Sequence, residues 1–228
     1  MAKVRSLLAK VQSKFDELTS KINRLLSHVP SYLHWVIAKV DKLWSELCAK
    51  MTELFDWFRK TLPAPGNPIL LHQIGQAWNT ALGLPAHKRS NEVDSDALLV
   101  DDTWTGTSAE AYKSHIDDQR GALNSVGTVA GAIASAMNTM KTGIWSFWIG
   151  VGVALIAFVG GLISVATATG TIVGIPVALA LGIATAAAFW GAIGAGCALL
   201  HFACSDSRDS INTTIAYSDP WPKFAVTV

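Results

Sequence analysis

Between Lys141 and Asp206 the chain carries no Asp, Glu, Lys or Arg. A stretch of that kind must be covered by protein or by lipid. One helical membrane crossing needs about 20 apolar residues, so there is room here for two. The break falls between Thr167 and Pro176, where two glycines, three threonines and a proline supply turn chemistry. The reading is an antiparallel hydrophobic hairpin over residues 143–203, with helices Gly143–Ala166 and Pro176–Ala203. Its small residues, Gly150, Gly152, Gly160, Gly161, Gly191, Gly194 and Gly196 among them, let helix backbones approach closely in lipid. On this view copies of the chain associate through these faces, and Gly161→Leu impairs assembly. Trp145 and Trp148 stand at the entrance of the first helix, where an interfacial aromatic belt belongs. The turn carries no charge, so its tip crosses a bilayer at low cost. The alternative is a hairpin buried in the core of a soluble oligomer.

The net charge of +1 hides an asymmetry. Residues 1–62 hold 11 Lys/Arg against 6 Asp/Glu, and residues 63–228 hold 7 against 11. The first part is therefore a basic arm and the remainder is mildly acidic. Cys48, Cys197 and Cys204 form neither a disulfide framework nor a zinc spacing and read as small buried residues. The N-terminal residues lack the apolar core of a secretory signal peptide.

Apolar residues recur at 3–4 spacing through Val4, Leu8, Val11, Phe15, Leu18, Ile22 and Leu25, with Lys and Arg on the other face. This is an amphipathic helix of coiled-coil type. The pattern resumes after Pro30 through Val36, Val40, Leu43, Leu47, Met51, Leu54 and Phe58, and Pro63 and Pro65 end the basic arm, 1–62. Pro30 permits a kinked rod or a helical hairpin. The apolar phase carries across it, which favours the rod. The apolar stripe is expected to pack on other helices of the protein, the other option being to lie in a membrane interface.

Residues 63–95 read as a linker holding one short helix, Ile69–Leu84, stopped by Gly83 and Pro85 and followed by a polar loop. Residues 96–142 read as a helix–turn–helix. Thr107 and Glu110 have capping-box spacing, so a helix should begin there. Gly106 suits the turn, and Trp104 is large enough to wedge between two helices. The helix after Tyr112 runs on without an evident stop into the hairpin, and residues 204–228 read as a polar tail. The pattern Trp104, Gly106, Ala109, Ala111 and Tyr112 resembles the WXG100 (ESX-like) superfamily of type VII secretion substrates. The resemblance covers Asp96–Met140. It implies a structural helical turn, a WXG-type partner chain or secretion machinery, and export without a signal peptide. It also implies likeness to the membrane-active N-terminal modules of larger actinobacterial members. Two features depart from the family pattern. The helix before Trp104 is broken, and the export signal Tyr-x-x-x-Asp/Glu is missing, since Ile116 stands four residues after Tyr112.

No catalytic chemistry emerges. His28, His34, His72, His87, His115 and His201 lack metal-ligand spacing, and neither a phosphate loop nor a nucleophile elbow occurs. Acids interleave with the bases of the arm and no base-reading motif follows, which argues against nucleic acid. The expectation is an all-α, non-enzymatic protein without cofactor or metal: long amphipathic coiled-coil-like helices, a WXG-type helix–turn–helix and a transmembrane helical hairpin. Its partner is the lipid bilayer and its assembly a homo-oligomer, which encloses a pore lined by hydroxyls such as Ser164, Thr167 and Thr185. A resident membrane adaptor without a pore and a soluble WXG-type interaction protein are the alternatives.

Overall fold

The computed structural model describes residues 1–27, 29, 34–64, 66–94 and 104–221. It is all-α, with no strand among the described residues. The helices are α1 (Ala2–Leu26), α2 (His34–Thr61), α3 (Pro68–Trp78), a π segment (Asn79–Gly83), α4 (Leu84–Glu92), α5 (Thr107–Lys113), α6 (Ile116–Ala168) and α7 (Ile175–Ala216). They form two compact units that are not contiguous in sequence. The first holds Met1–Gly66 and Ser146–Leu199, the second Asn67–Trp145 and Leu200–Val228.

In the first unit the 3–4 pattern does what its spacing dictates. Val4, Leu7, Val11, Leu18 and Ile22 of α1 are buried, as are Val36, Val40, Leu47, Met51, Leu54 and Phe58 of α2. Phe15 stacks on Trp44 with ring centroids 5.3 Å apart. In a straight rod, residues that far apart in sequence would be about 43 Å apart at 1.5 Å per residue. The rod reading is therefore corrected: α1 and α2 lie side by side, although Pro30 itself falls outside the described residues. A rod would leave both stripes in water. Folded back, Leu18, Ile22, Val36, Val40 and Leu47 share one core with Val165, Ala166, Ile175, Ala178 and Leu179 of the hydrophobic hairpin. Each of the Leu, Ile and Val side chains contributes roughly 1.5–3 kcal/mol on burial. Packing on the protein's own helices is thus where the amphipathic stripe goes.

In the second unit α3 and α4 run antiparallel to α6. Gly75 faces Ala134 and Met137, Gly83 faces Ala130, and the His87 ring lies over Gly127. Arg120 Nε donates to Val93 O at 2.9 Å. Asn67 caps α3 by accepting from the Leu70 amide, with Pro68 just inside the helix. The expected break at Gly83 and Pro85 does not occur, and residues 84–92 are helical, not a loop. A π turn, closed by Leu84 N to Asn79 O, shifts the hydrogen-bond register by one residue just before Pro85. The missing proline N–H then falls where the ladder is being rebuilt.

Three further expectations are corrected here. The capping box is not formed: Gly106, at φ 100°, is the N-cap of α5, and no side chain caps it. Its carbonyl accepts from the Ala109 and Glu110 amides. The helix after Tyr112 is interrupted at Ser114–His115, where His115 N turns back to Tyr112 O, before α6 begins. The tail is helical through Ala216. Ser207 is buried, and its hydroxyl lies between Ala203 O at 2.7 Å and Ala136 O at 3.3 Å. The Asp219 amide donates to Ser125 Oγ at 2.8 Å. The inward face of this extension is Ala203, Ser207, Ile211, Thr214 and Ser218, too small and polar for a hydrophobic period to reveal it.

Candidate membrane-inserting hairpin

Helices α6 and α7 turn at Thr169–Gly174 and run antiparallel. In the first unit Val151, Leu155, Phe158, Leu162 and Val165 recur at alternating four- and three-residue steps and are buried. On α7 the buried residues are Ala178, Leu179, Ala186, Phe189 and Ile193, with Phe158 and Phe189 rings 5.5 Å apart. Aromatics close one end of this contact. Trp57 of α2 sits 6.4 Å from Phe147 and 6.1 Å from Trp190, and Phe58 sits 6.3 Å from Phe189. The Trp190 indole N–H is buried in this cluster without a hydrogen-bond acceptor among the described residues.

The opposite faces are open. Ile149, Val153, Ile156 and Ile163 form an exposed apolar stripe on α6. Val177, Leu181 and Leu199 do the same on α7, with Ala184, Ala188, Gly191 and Ala195 exposed between them. Both helices are long and apolar enough to cross a membrane, yet only 33% of the most apolar stretch of each is buried. The core helix of a soluble protein is mostly buried. These two are apolar all round and covered on one side, which is the pattern of a helix that needs lipid or a partner on the other.

The tip is held. Lys21 Nζ of α1 donates to Ala166 O at 2.5 Å, one of the last carbonyls of α6. Thr169 is fully buried, its hydroxyl donating to the same carbonyl at 2.8 Å, and Gly174 N donates to Thr171 Oγ1 at 3.1 Å. The tip is uncharged in sequence, but a lysine far upstream in the chain serves it. Three of the hydroxyls expected to line a pore are engaged within their own helices. Ser164 donates to Gly160 O, Thr167 to Ile163 O and Thr185 to Leu181 O. Hydroxyls bonded in this way suit a lipid environment and offer little to a water column.

The small residues divide into two sets. A Cβ on Gly161 would meet the Thr185 side chain at contact distance or less, and one on Gly196 would meet the Phe147 ring at 3.2 Å. These are close-approach points of α6 on α7, as is Gly143 against Ala203. Gly150, Gly152, Gly160, Gly191 and Gly194 have open space where a side chain would stand. Gly161 is therefore a close contact within the hairpin, whereas the sequence suggested one between copies. Gly160→Leu should leave thermal stability within a few tenths of a kcal/mol, whereas Gly161→Leu should cost about 1–3 kcal/mol by overpacking. Melting curves of the two neighbours check this, and equal midpoints would overturn the assignment.

Around the Trp-x-Gly turn, Trp104 is 45% exposed and packs on the Tyr112 ring at 5.6 Å. It is thus largely open on the turn, and the stretch 95–103 before it, where the first helix of the helix–turn–helix was expected, lies outside the described residues. Ala109 is buried and Ala111 is exposed. Trp145 is exposed, and Trp148 meets Phe147 edge-on at 5.2 Å. Cys197 and Cys204 are exposed, which corrects the reading of buried thiols, while Cys48 is partly covered and burial pushes its thiol above the ordinary range. Among the described residues no three His, Cys, Asp or Glu gather as a metal site. No protein-family model, curated protein or solved structure matches the chain.

Proposed function

We propose that the protein inserts into membranes through the α6–α7 hairpin, and that the α1–α2 pair is the cover that keeps the tip in protein until it does so. The observation that carries this is that only a third of each apolar stretch is buried by the protein's own helices. Burying such surface in a bilayer gains roughly 25 cal/mol per Å² of apolar area, and the hydroxyls of Ser164, Thr167 and Thr185 are already bonded within their helices. The cover shares its core with the tip, so insertion requires α1 and α2 to leave Val165, Ile175 and Leu179. Homo-oligomers then form through the open small-residue faces, Gly150, Gly160, Gly191 and Gly194, rather than through Gly161. The likeness to WXG100 secretion substrates is part of the same proposal. It is supported by the antiparallel packing of α3–α4 on α6 and by Gly106 opening α5 beside the Trp104–Tyr112 contact.

Flotation and dye release with protein-free liposomes test the proposal, with a thiol reagent as the third readout. Cys197, exposed in solution, should become protected from a water-soluble maleimide once the chain floats. Flotation with protection, but without dye release, would mean insertion without a pore and favour an anchored adaptor. A chain that stays at the bottom of the gradient with Cys197 fully reactive would end the membrane reading and leave the soluble oligomer.

A further inference from the structure

One end of the α1–α2 pair is strongly cationic. The first acid in the chain is Asp16, and Lys3, Arg5 and Lys10 before it are all exposed. The C-terminal end of α2 adds Arg59 and Lys60, also exposed. A groove of about 450 Å³ lined by Leu8, Gln12, Arg59 and Leu62 brings these two helix ends together. Arg59 pairs with Asp56 at 2.9 Å, while Lys3, Arg5, Lys10 and Lys60 make no ion pair among the described residues. An arm that needed these charges for its own fold would pair them, as it does Lys14 with Glu17 and Lys50 with Glu53. The same turn of α2 carries Trp57, whose ring meets Phe147 near the entrance of the hairpin. Cations and tryptophans at one level are what the headgroup region of a bilayer accommodates.

We propose that this cationic end is a docking surface for anionic phospholipid, and that it brings the hairpin to the membrane before α1 and α2 open. The proposal rests on the insertion reading for its purpose; its chemistry, phosphate against unpaired Lys and Arg, stands separately. Nucleic acid offers phosphate too, but gives the adjoining apolar helices nothing to enter. Each basic residue near an anionic surface contributes about 1 kcal/mol, or roughly fivefold in partitioning.

The test is flotation of the full chain with vesicles of phosphatidylcholine alone and of phosphatidylcholine mixed with phosphatidylglycerol. Binding to the mixed vesicles should be much tighter and should fall away toward 1 M salt, where the screening length is about 3 Å. The triple variant Lys3→Gln, Arg5→Gln, Lys10→Gln should lose about 100-fold on mixed vesicles only, with an unchanged melting curve because all three sites are exposed. Lys3→Arg with Lys10→Arg should bind as the parent does. Equal flotation on both vesicle types, an unaffected triple variant, or binding to a single-stranded RNA in place of the mixed vesicles would overturn the docking proposal. Dye release in the same samples separates the two ideas. Charge-dependent flotation without release or thiol protection ends the insertion reading alone, and release that ignores lipid charge ends the docking proposal alone.

Discussion

Ile156→Arg combined with Ala188→Arg should abolish liposome insertion while leaving the protein folded in solution. Both residues are exposed, near the middle of their apolar helices and on the open faces. Surface substitutions at such points cost within about 0.5 kcal/mol of solution stability. In a bilayer each arginine at mid-helix costs about 2.5–3.5 kcal/mol. Together they amount to roughly a ten-thousand-fold loss of partitioning. The measurement is flotation at matched protein concentration, with circular dichroism and size exclusion as the fold control. Retained flotation would show that the open faces do not meet lipid. A variant that no longer assembles in solution would instead show that these faces meet one another, which is the soluble-oligomer reading.

The contrast between these faces and the buried ones explains what the sequence made legible. A charge-free run with turn residues in its middle left one local solution, so the hairpin and its break at Thr167–Pro176 could be read directly. Helix periodicity gave α1 and α2 for the same reason. Their pairing was not legible, because Pro30 is compatible with both a rod and a hairpin, and only the distance between Phe15 and Trp44 separates the two. Gly83 and Pro85 have the form of stop signals because the sequence does not announce a π turn. The extension of α7 is not legible because its inward face, built around Ser207, replaces apolar side chains with small ones and a hydroxyl. The glycines were legible as a set but not as two sets. Which side of a helix meets a neighbour depends on a rotation that composition cannot supply, so Gly160 and Gly161 look alike until Thr185 is placed. The link between Lys21 and Ala166 is of the same kind: a long-range contact between two residues that have nothing special about them locally.

Phe58→Ala should destabilise the protein in solution and speed its entry into membranes. Phe58 is 1% exposed and is contributed by α2, not by the hairpin. Its ring meets Phe189 at 6.3 Å and Trp57 at 4.8 Å. Removing a buried phenylalanine of this kind costs about 3–5 kcal/mol through lost burial and the cavity left behind. The loss falls on the contact between cover and hairpin, while the surface that enters lipid is untouched. A cover that must leave before insertion is a barrier, so weakening it raises the rate even as it lowers the melting temperature. Stopped-flow dye release or tryptophan emission on mixing with liposomes reads the rate, and thermal melting reads the stability. Opposite signs in the two measurements are the signature of a releasable cover. If insertion slows in proportion to lost stability, α2 belongs to the inserted structure, and the protein enters the membrane with its first unit intact.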